Sequence, residues 1–430
     1  SIAGWLCARL IPAAPSTVPD LVVDKNIVTS TATLIKDLRS DRRIWQGALI
    51  TSWFWLVGAV VLALLQNLIP HTLNGAPSVY TLALFTFAIS VAAGSMVAAS
   101  ASKNRPNLAL VPIGALLMGI FLIDLALLAS RITPAPQPIG VSELLASFSG
   151  IHMLLDLAGI AFAGGLFIVP SFAAVQAWSP VERRSRVIAG CNVLSAAFMT
   201  FAGLAVAALQ YEKVSVALLY AGIGVANLIV VALVLRAWGA EGVKDVGVFL
   251  FKTLFGLEVK GLEHLPAPGE KAIIAPNHVS LLDAALMHAL LPSHATFAID
   301  TGMANTWWVK PFLKLAKSYA IDPTRPLGMR HLIQDVKDGS SLVIFPEGRL
   351  TVTGGLMKVY DGTAMIADKA DAPVIPVRID GLERSHFGYL SKAQTKKAWF
   401  PKTTVTILPP VKLNIDPNLP QRRWTDMIAK

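Results

Sequence analysis

A histidine and an aspartate stand five positions apart in "IIAPNHVSLLDAALMHALL", residues 273–291. Asn277, His278 and Asp283 interrupt an otherwise apolar run. A carboxylate at that spacing can orient an imidazole as a base and fix its tautomer. The same residues also suit local structure. Ala272–Ala275 reads as a strand, Pro276 ends it, and Ser280 with Asp283 has the form of a capping box at a helix start. Spacing alone does not separate the two readings. A second apolar run, "SLVIFPEGRL", predicts a strand over Ser341–Phe345 closed by Pro346-Glu347-Gly348-Arg349. Strand ends in α/β sheets collect ligand-binding groups, yet Pro-Glu-Gly taken alone is a plain turn. "DAPVIPVRIDG" gives a third strand, Val374–Ile379. Its prolines, Pro373 and Pro376, predict a place away from the fully paired centre of a sheet.

What must position these groups is a chain of 430 residues, 54% hydrophobic and only 15% charged. Soluble domains carry roughly 25% charged residues, and the mean hydropathy is +0.58, so an integral membrane protein is the expectation. No Asp, Glu, Lys or Arg occurs from Ile44 to Ser102. Spans of ~20 apolar residues fit at about 46–69, 79–101, 107–130, 147–177, 187–209 and 214–237. Cations gather before the first span (Lys36, Arg39, Arg42, Arg43), after the second (Lys103, Arg105), after the fourth (Arg183, Arg184, Arg186) and after the sixth (Arg236, Lys244, Lys252). The other loops hold few, Arg131 and Lys213 among them, so both ends of the bundle are expected on the cytoplasmic side. The net charge of +10 then fits basic loops beside anionic lipid rather than nucleic acid. Ser1 lies inside an apolar stretch, Ile2–Pro12, that reads as the end of a helix begun upstream.

After residue 243 charges recur every few residues, and short β-like runs alternate with helical ones, which predicts an α/β domain over 244–430 behind a bundle over 1–243. Cys7 and Cys191 lie in apolar surroundings and support no disulfide framework. His264, His294, His331 and His386 form no metal-ligand spacing, and no metal is assigned.

NH-x4-D, then FPEG, then a V-I-P-V strand, in this order, resembles the glycerolipid acyltransferase superfamily that includes lysophosphatidic acid acyltransferase. The likeness covers roughly residues 250–415, and "YAIDPTRP" places Arg325 where that family's second motif ends. The resemblance implies that His278, held by Asp283, takes a proton from a glycerol hydroxyl attacking a thioester. It implies an acceptor site made by Asn277, Arg325, Glu347, Gly348 and Arg349, with the two arginines gripping phosphate. Main-chain N–H groups near Ser280 are expected to meet the oxyanion. No covalent intermediate and no cofactor are implied; the co-substrate is an acyl thioester of acyl carrier protein or coenzyme A. Glu347-Gly348-Arg349 lacks the Thr common between Gly and Arg, and Asp361 precedes Gly362 where Lys is common. Both features look closer to bacterial 2-acylglycerophosphoethanolamine acyltransferases.

"NTWWVKPFLKLAKSY", Asn305–Tyr319, interleaves Trp307, Trp308 and Phe312 with lysines, as a membrane-interface helix does. Asp124 and Asp156 fall inside spans, as do Asn192 and Asn227, and such groups face a partner or a path. "GGLFIVPSFAAVQ" (Gly164–Gln176) resembles a late helix of lysophospholipid transporters of the major facilitator superfamily. Six spans would make the C-terminal half of that fold, with Asp124 and Asp156 on a transport path. The combined expectation is a bacterial inner-membrane protein, its acyltransferase domain cytoplasmic, that admits and re-acylates a lysophospholipid. Two alternatives stay open: a lysophosphatidic acid acyltransferase, or a lysolipid transporter whose second domain only binds lipid.

Overall fold

The computed structural model describes Arg9 and residues 26–102, 105–267, 269–291, 295–307, 309–310, 313, 316–321, 327–391 and 393–413. The chain divides into two compact units, Ser1–Gly239 and Ala240–Lys430.

The first unit is helical. Helix α1 (Ile27–Arg39) is capped by Asn26, whose Oδ1 accepts from Val28 at 3.0 Å; α2 (Arg42–Asn67) is capped by Asp41, which accepts from Arg43 at 2.7 Å. Then follow α3 (Pro77–Ala101), α4 (Leu110–Arg131), the short α5 (Val141–Ala146), α6 (Phe148–Trp178), α7 (Arg184–Tyr211) and α8 (Val216–Phe255). Six segments are long and apolar enough to cross a membrane: Arg42–Thr72, Pro77–Ala101, Leu110–Arg131, Phe148–Trp178, Val181–Tyr211 and Val216–Phe255. They coincide with the six expected spans, with two differences. The first continues through a π-helical turn, Leu68–Thr72, which absorbs Pro70 instead of stopping before it. The sixth runs unbroken to Phe255, so the change of composition at residue 243 falls inside a helix.

Helix α6 packs on α3 and α4. A Cβ at Gly94 would strike the main-chain oxygen of Phe162, so glycine permits this approach. Polar groups in the bundle find one another. Asn227 is fully buried, accepts from the Trp53 indole at 2.7 Å and donates to the Ala115 carbonyl.

The second unit holds a seven-stranded mixed sheet: β1 (Glu258–Lys260), β2 (Ala272–Pro276), β3 (Thr296–Asp300), β4 (Ser318–Ile321), β5 (Ser341–Val343), β6 (Val374–Asp380) and β7 (Thr404–Ile407), in the order β1-β7-β6-β2-β5-β3-β4. All neighbours are parallel except β6 and β7. Central β2 is buried throughout because it faces two cores. Ala272 and Ile274 join Leu286, Met287 and Phe251 on one face, while Ile273 and Ala275 join Leu332, Ile366 and Ala370 on the other. The helices on the two faces include α9 (Asp283–Leu290) on the first, and α11 (Leu327–Lys337) and α12 (Gly362–Ala370) on the second; α10 (Thr301–Ala304) is a single turn.

The prolines of β6 mislead. The strand is central, paired on both sides, rather than set aside from the paired core. Pro376 accepts from the Leu408 N–H at 2.9 Å and has no hydrogen to return, which leaves one ladder bond unmade. Its flank toward β2 needs no donor from Pro376, because there the bonds run through Pro373 and Val377.

Candidate active site

The site forms where β2 and β5 end side by side. Beyond β2 the chain bends through residues 277–282 into α9, and Asp283 is the first helical residue. Its carboxylate folds back over its own helix start. Oδ2 accepts from His278 Nδ1 at 3.0 Å, from Val279 N–H at 2.6 Å and from Ser280 N–H at 2.8 Å. Ser280 Oγ accepts from Leu282 N–H at 3.3 Å, and the N-cap residue Leu282 makes no side-chain cap. Of the expected capping box only the bond from Ser280 N–H to Asp283 is made, in the turn before the helix. Asp283 is fully buried, and burial pushes its carboxyl above the ordinary range, with His278 and the two N–H groups pulling it back. Facing a carboxylate, Nδ1 carries the hydrogen and Nε2 presents the lone pair.

Three further contacts fix the histidine. Its N–H donates to Glu347 Oε1 at 2.9 Å, its carbonyl accepts from Thr351 N–H at 2.8 Å, and its ring stacks on Phe345 at 4.2 Å between centroids. The other oxygen of Glu347 accepts from Met357 N–H at 2.8 Å. Glu347 is thus buried, with both oxygens on main-chain donors, and acts as a brace between the two blocks. Gly348 has φ +62°, the left-handed conformation that closes the turn after β5, and its N–H donates to Phe345. Arg349 is exposed, with no ion pair among the described residues. Lys358, close in the same loop, sits 5.5 Å over the Tyr360 ring.

Asn277 continues the sheet rather than facing outward. Its amide donates to Ile379 carbonyl at 3.0 Å and accepts from Ile379 N–H at 2.7 Å. The N–H groups expected to receive an oxyanion are occupied. Every one from Asn277 to Asp283 has an acceptor: Val377, Glu347, Asp283 twice, Phe387, Ser280 Oγ and Ser280 carbonyl. Asp283, by claiming two of them, removes the helix start from that role. Arg325 lies outside the described residues, as do Trp308, Phe312 and Lys314 of the expected interface helix. Trp307 is exposed, and Lys317 pairs with Asp335 at 2.6 Å.

In the first unit the structure joins Asp124 to Asp156 through a residue that sequence reasoning missed. His152 Nε2 lies 3.0 Å from Asp124 Oδ2 and 3.7 Å from Asp156 Oδ2. The signal was present as His152 and Asp156 four positions apart on one helix.

Residues 256–380 match the family model described as Acyltransferase. The chain carries an acyltransferase domain. The chain is 28% identical over 128 residues to a chloroplastic 1-acyl-sn-glycerol-3-phosphate acyltransferase of Brassica napus, covering 29% of this chain and 37% of that protein. It is 26% identical over 191 residues to the alpha 1-acyl-sn-glycerol-3-phosphate acyltransferase of Mus musculus, covering 41% and 63%. The chain therefore spans less than two thirds of the length of these relatives. A crystal structure of the 1-acyl-sn-glycerophosphate acyltransferase of Thermotoga maritima aligns at 22% identity and TM-score 0.35, over 45% of this chain and 78% of that one. The family match lies within the second unit.

Proposed function

We propose that the protein is an O-acyltransferase that moves a fatty acyl group from a thioester to a lysophospholipid, 2-acylglycerophosphoethanolamine being the favoured acceptor. The observation that carries this is the histidine's setting. His278 is held at its ring by Asp283 and at its main chain by Glu347 and Thr351, which leaves Nε2 alone to accept a proton. In the reaction Nε2 takes the proton of the glycerol hydroxyl as its oxygen bonds to the thioester carbonyl carbon. The C–S bond then breaks, and the thiolate leaves and recovers the proton from the imidazolium. The oxyanion falls to donors outside 277–283. Arg349, with Arg325, holds the acceptor's phosphate, and Gly348 lets the chain turn close beside it. Asn277 and Glu347 serve that pocket by position: one extends the sheet, the other braces the base.

The six spans are read as the C-terminal half of a major facilitator-like bundle in a bacterial inner membrane, delivering lysolipid to a cytoplasmic acyltransferase domain. A second acceptor, lysophosphatidic acid, is favoured by the relatives, whose names specify 1-acyl-sn-glycerol-3-phosphate. One assay separates the readings: full-length protein in detergent with labelled acyl thioesters of acyl carrier protein and of coenzyme A, against a panel of lysolipids. Preference for the ethanolamine lysolipid is expected, with Arg349→Ala raising the apparent KM for lysolipid and not for thioester. Transfer confined to lysophosphatidic acid would select the second acceptor. No transfer to any lysolipid would leave a lipid-binding domain and sink the proposal.

A further inference from the structure

The Asp124–His152–Asp156 cluster has the donor set and the spacing of a metal site. Its three ligand atoms lie within 4.8 Å of one another. Donors bound tetrahedrally at ~2.0–2.2 Å from one ion stand about 3.3 Å apart, and the imidazole-to-carboxylate separations of 3.0 and 3.7 Å bracket that spacing. A second observation points the same way. The Asp156 side chain is 2% exposed, and its Oδ2 is buried with no hydrogen-bond partner while aimed at the imidazole nitrogen. His152 Nε2 can direct one hydrogen, and Asp124 stands at hydrogen-bond distance from it. Asp156 Oδ2 has only the longer 3.7 Å approach to the imidazole.

Charge sharpens the point. Two carboxylates outweigh one imidazolium, and a net negative cluster inside an apolar span is expensive. A divalent ion balances both carboxylates against a neutral imidazole and gives the orphaned oxygen its bond. Calcium and magnesium prefer six or more oxygen ligands, whereas two carboxylates and an imidazole suit zinc-class ions and leave a coordination position open. Access is available. His152 lies about 6 Å along α6 from its start and Asp124 about 10 Å from the end of α4, and the Asp124 side chain is 47% exposed.

We propose that Asp124, His152 and Asp156 bind a divalent transition-metal ion of the zinc class within the helical bundle. This is independent of acyl transfer and survives its failure. The test uses full-length protein in detergent, prepared without a polyhistidine tag, stripped with chelator and titrated with Co²⁺. One equivalent should bind with visible absorption, be displaced by Zn²⁺, and resist excess Mg²⁺. Asp156→Asn and His152→Ala should each abolish the band while gel filtration and circular dichroism stay unchanged, and His264→Ala should keep it. Absence of any visible band in the wild type overturns the proposal whatever the variants do. So does a band that persists in both site variants, or one removed by Mg²⁺.

Discussion

His278 is fixed on every side but one, and this decides what its removal should do. His278→Ala is expected to lower acyl transfer by ~10²–10⁴-fold, the usual worth of a general base, with folding intact. Turnover at the wild-type rate would end the general-base mechanism. Asp283→Asn is the more informative change, because the same Oδ2 atom holds the imidazole and two main-chain N–H groups. An amide oxygen can keep the cap yet loses the charge facing the imidazole, so activity should drop steeply while the unfolding temperature shifts little. A cap lost outright costs about 1 kcal/mol, and a large fall in unfolding temperature would therefore point to the cap. His278 and Asp283 were legible because they lie five residues apart and share one local turn. Asn277 was not, since its partner Ile379 is 102 residues away, and a carboxamide that bridges strands looks in sequence like one that binds substrate. Glu347 misled for the same reason, its target being the main chain of a residue 69 positions earlier.

Helix α9 carries one histidine, His288. His288 is 9% exposed and packs edge-on to Phe297, and its pKa is lowered from 6.5 to about 4 by burial first and then by Lys244. In the folded state it stays neutral, whereas in the unfolded chain it takes up a proton near ~6.5. Between those values the unfolded state binds more protons, so stability falls as pH falls from about 6.5 to about 4. His288→Gln should flatten the pH dependence of the unfolding temperature in that window. An unchanged slope would mean that His288 is not kept neutral by the fold. At this scale β2, β5 and β6 were readable from their apolar runs, whereas β1, β3 and β4 were not foreseen. The centrality of β6 was not, because the penalty on proline assumes lost pairing. Here the missing bond is confined to the Pro376 rung, and the chain beyond Leu408 pairs again with Val374 through Val411.

Across the whole molecule, apolar runs of about 20 residues revealed the six helices, since nothing but lipid or a large core tolerates so much contiguous apolar surface. The meeting of Asp124 with His152 was hidden, because helix order says little about which faces touch. The two units also divide the expected phenotypes. Under the proposed transport role, Asp124→Asn should block lysolipid entry into vesicles carrying the protein, yet leave acylation of detergent-presented lysolipid unchanged, since the acyltransferase match lies in the second unit. Equal entry by Asp124→Asn and wild type would remove the aspartate from the transport path. Loss of detergent acylation would show that the units do not act separately.

The brace that Glu347 supplies has a consequence for biosynthesis. The dyad is complete once Asp283 has been made, but the groups that seat it arrive with Glu347, Thr351 and Met357. A chain still emerging from the ribosome thus carries its base for more than sixty residues before it owns the frame that aims it. The base acquires its frame only when β5 has docked beside β2.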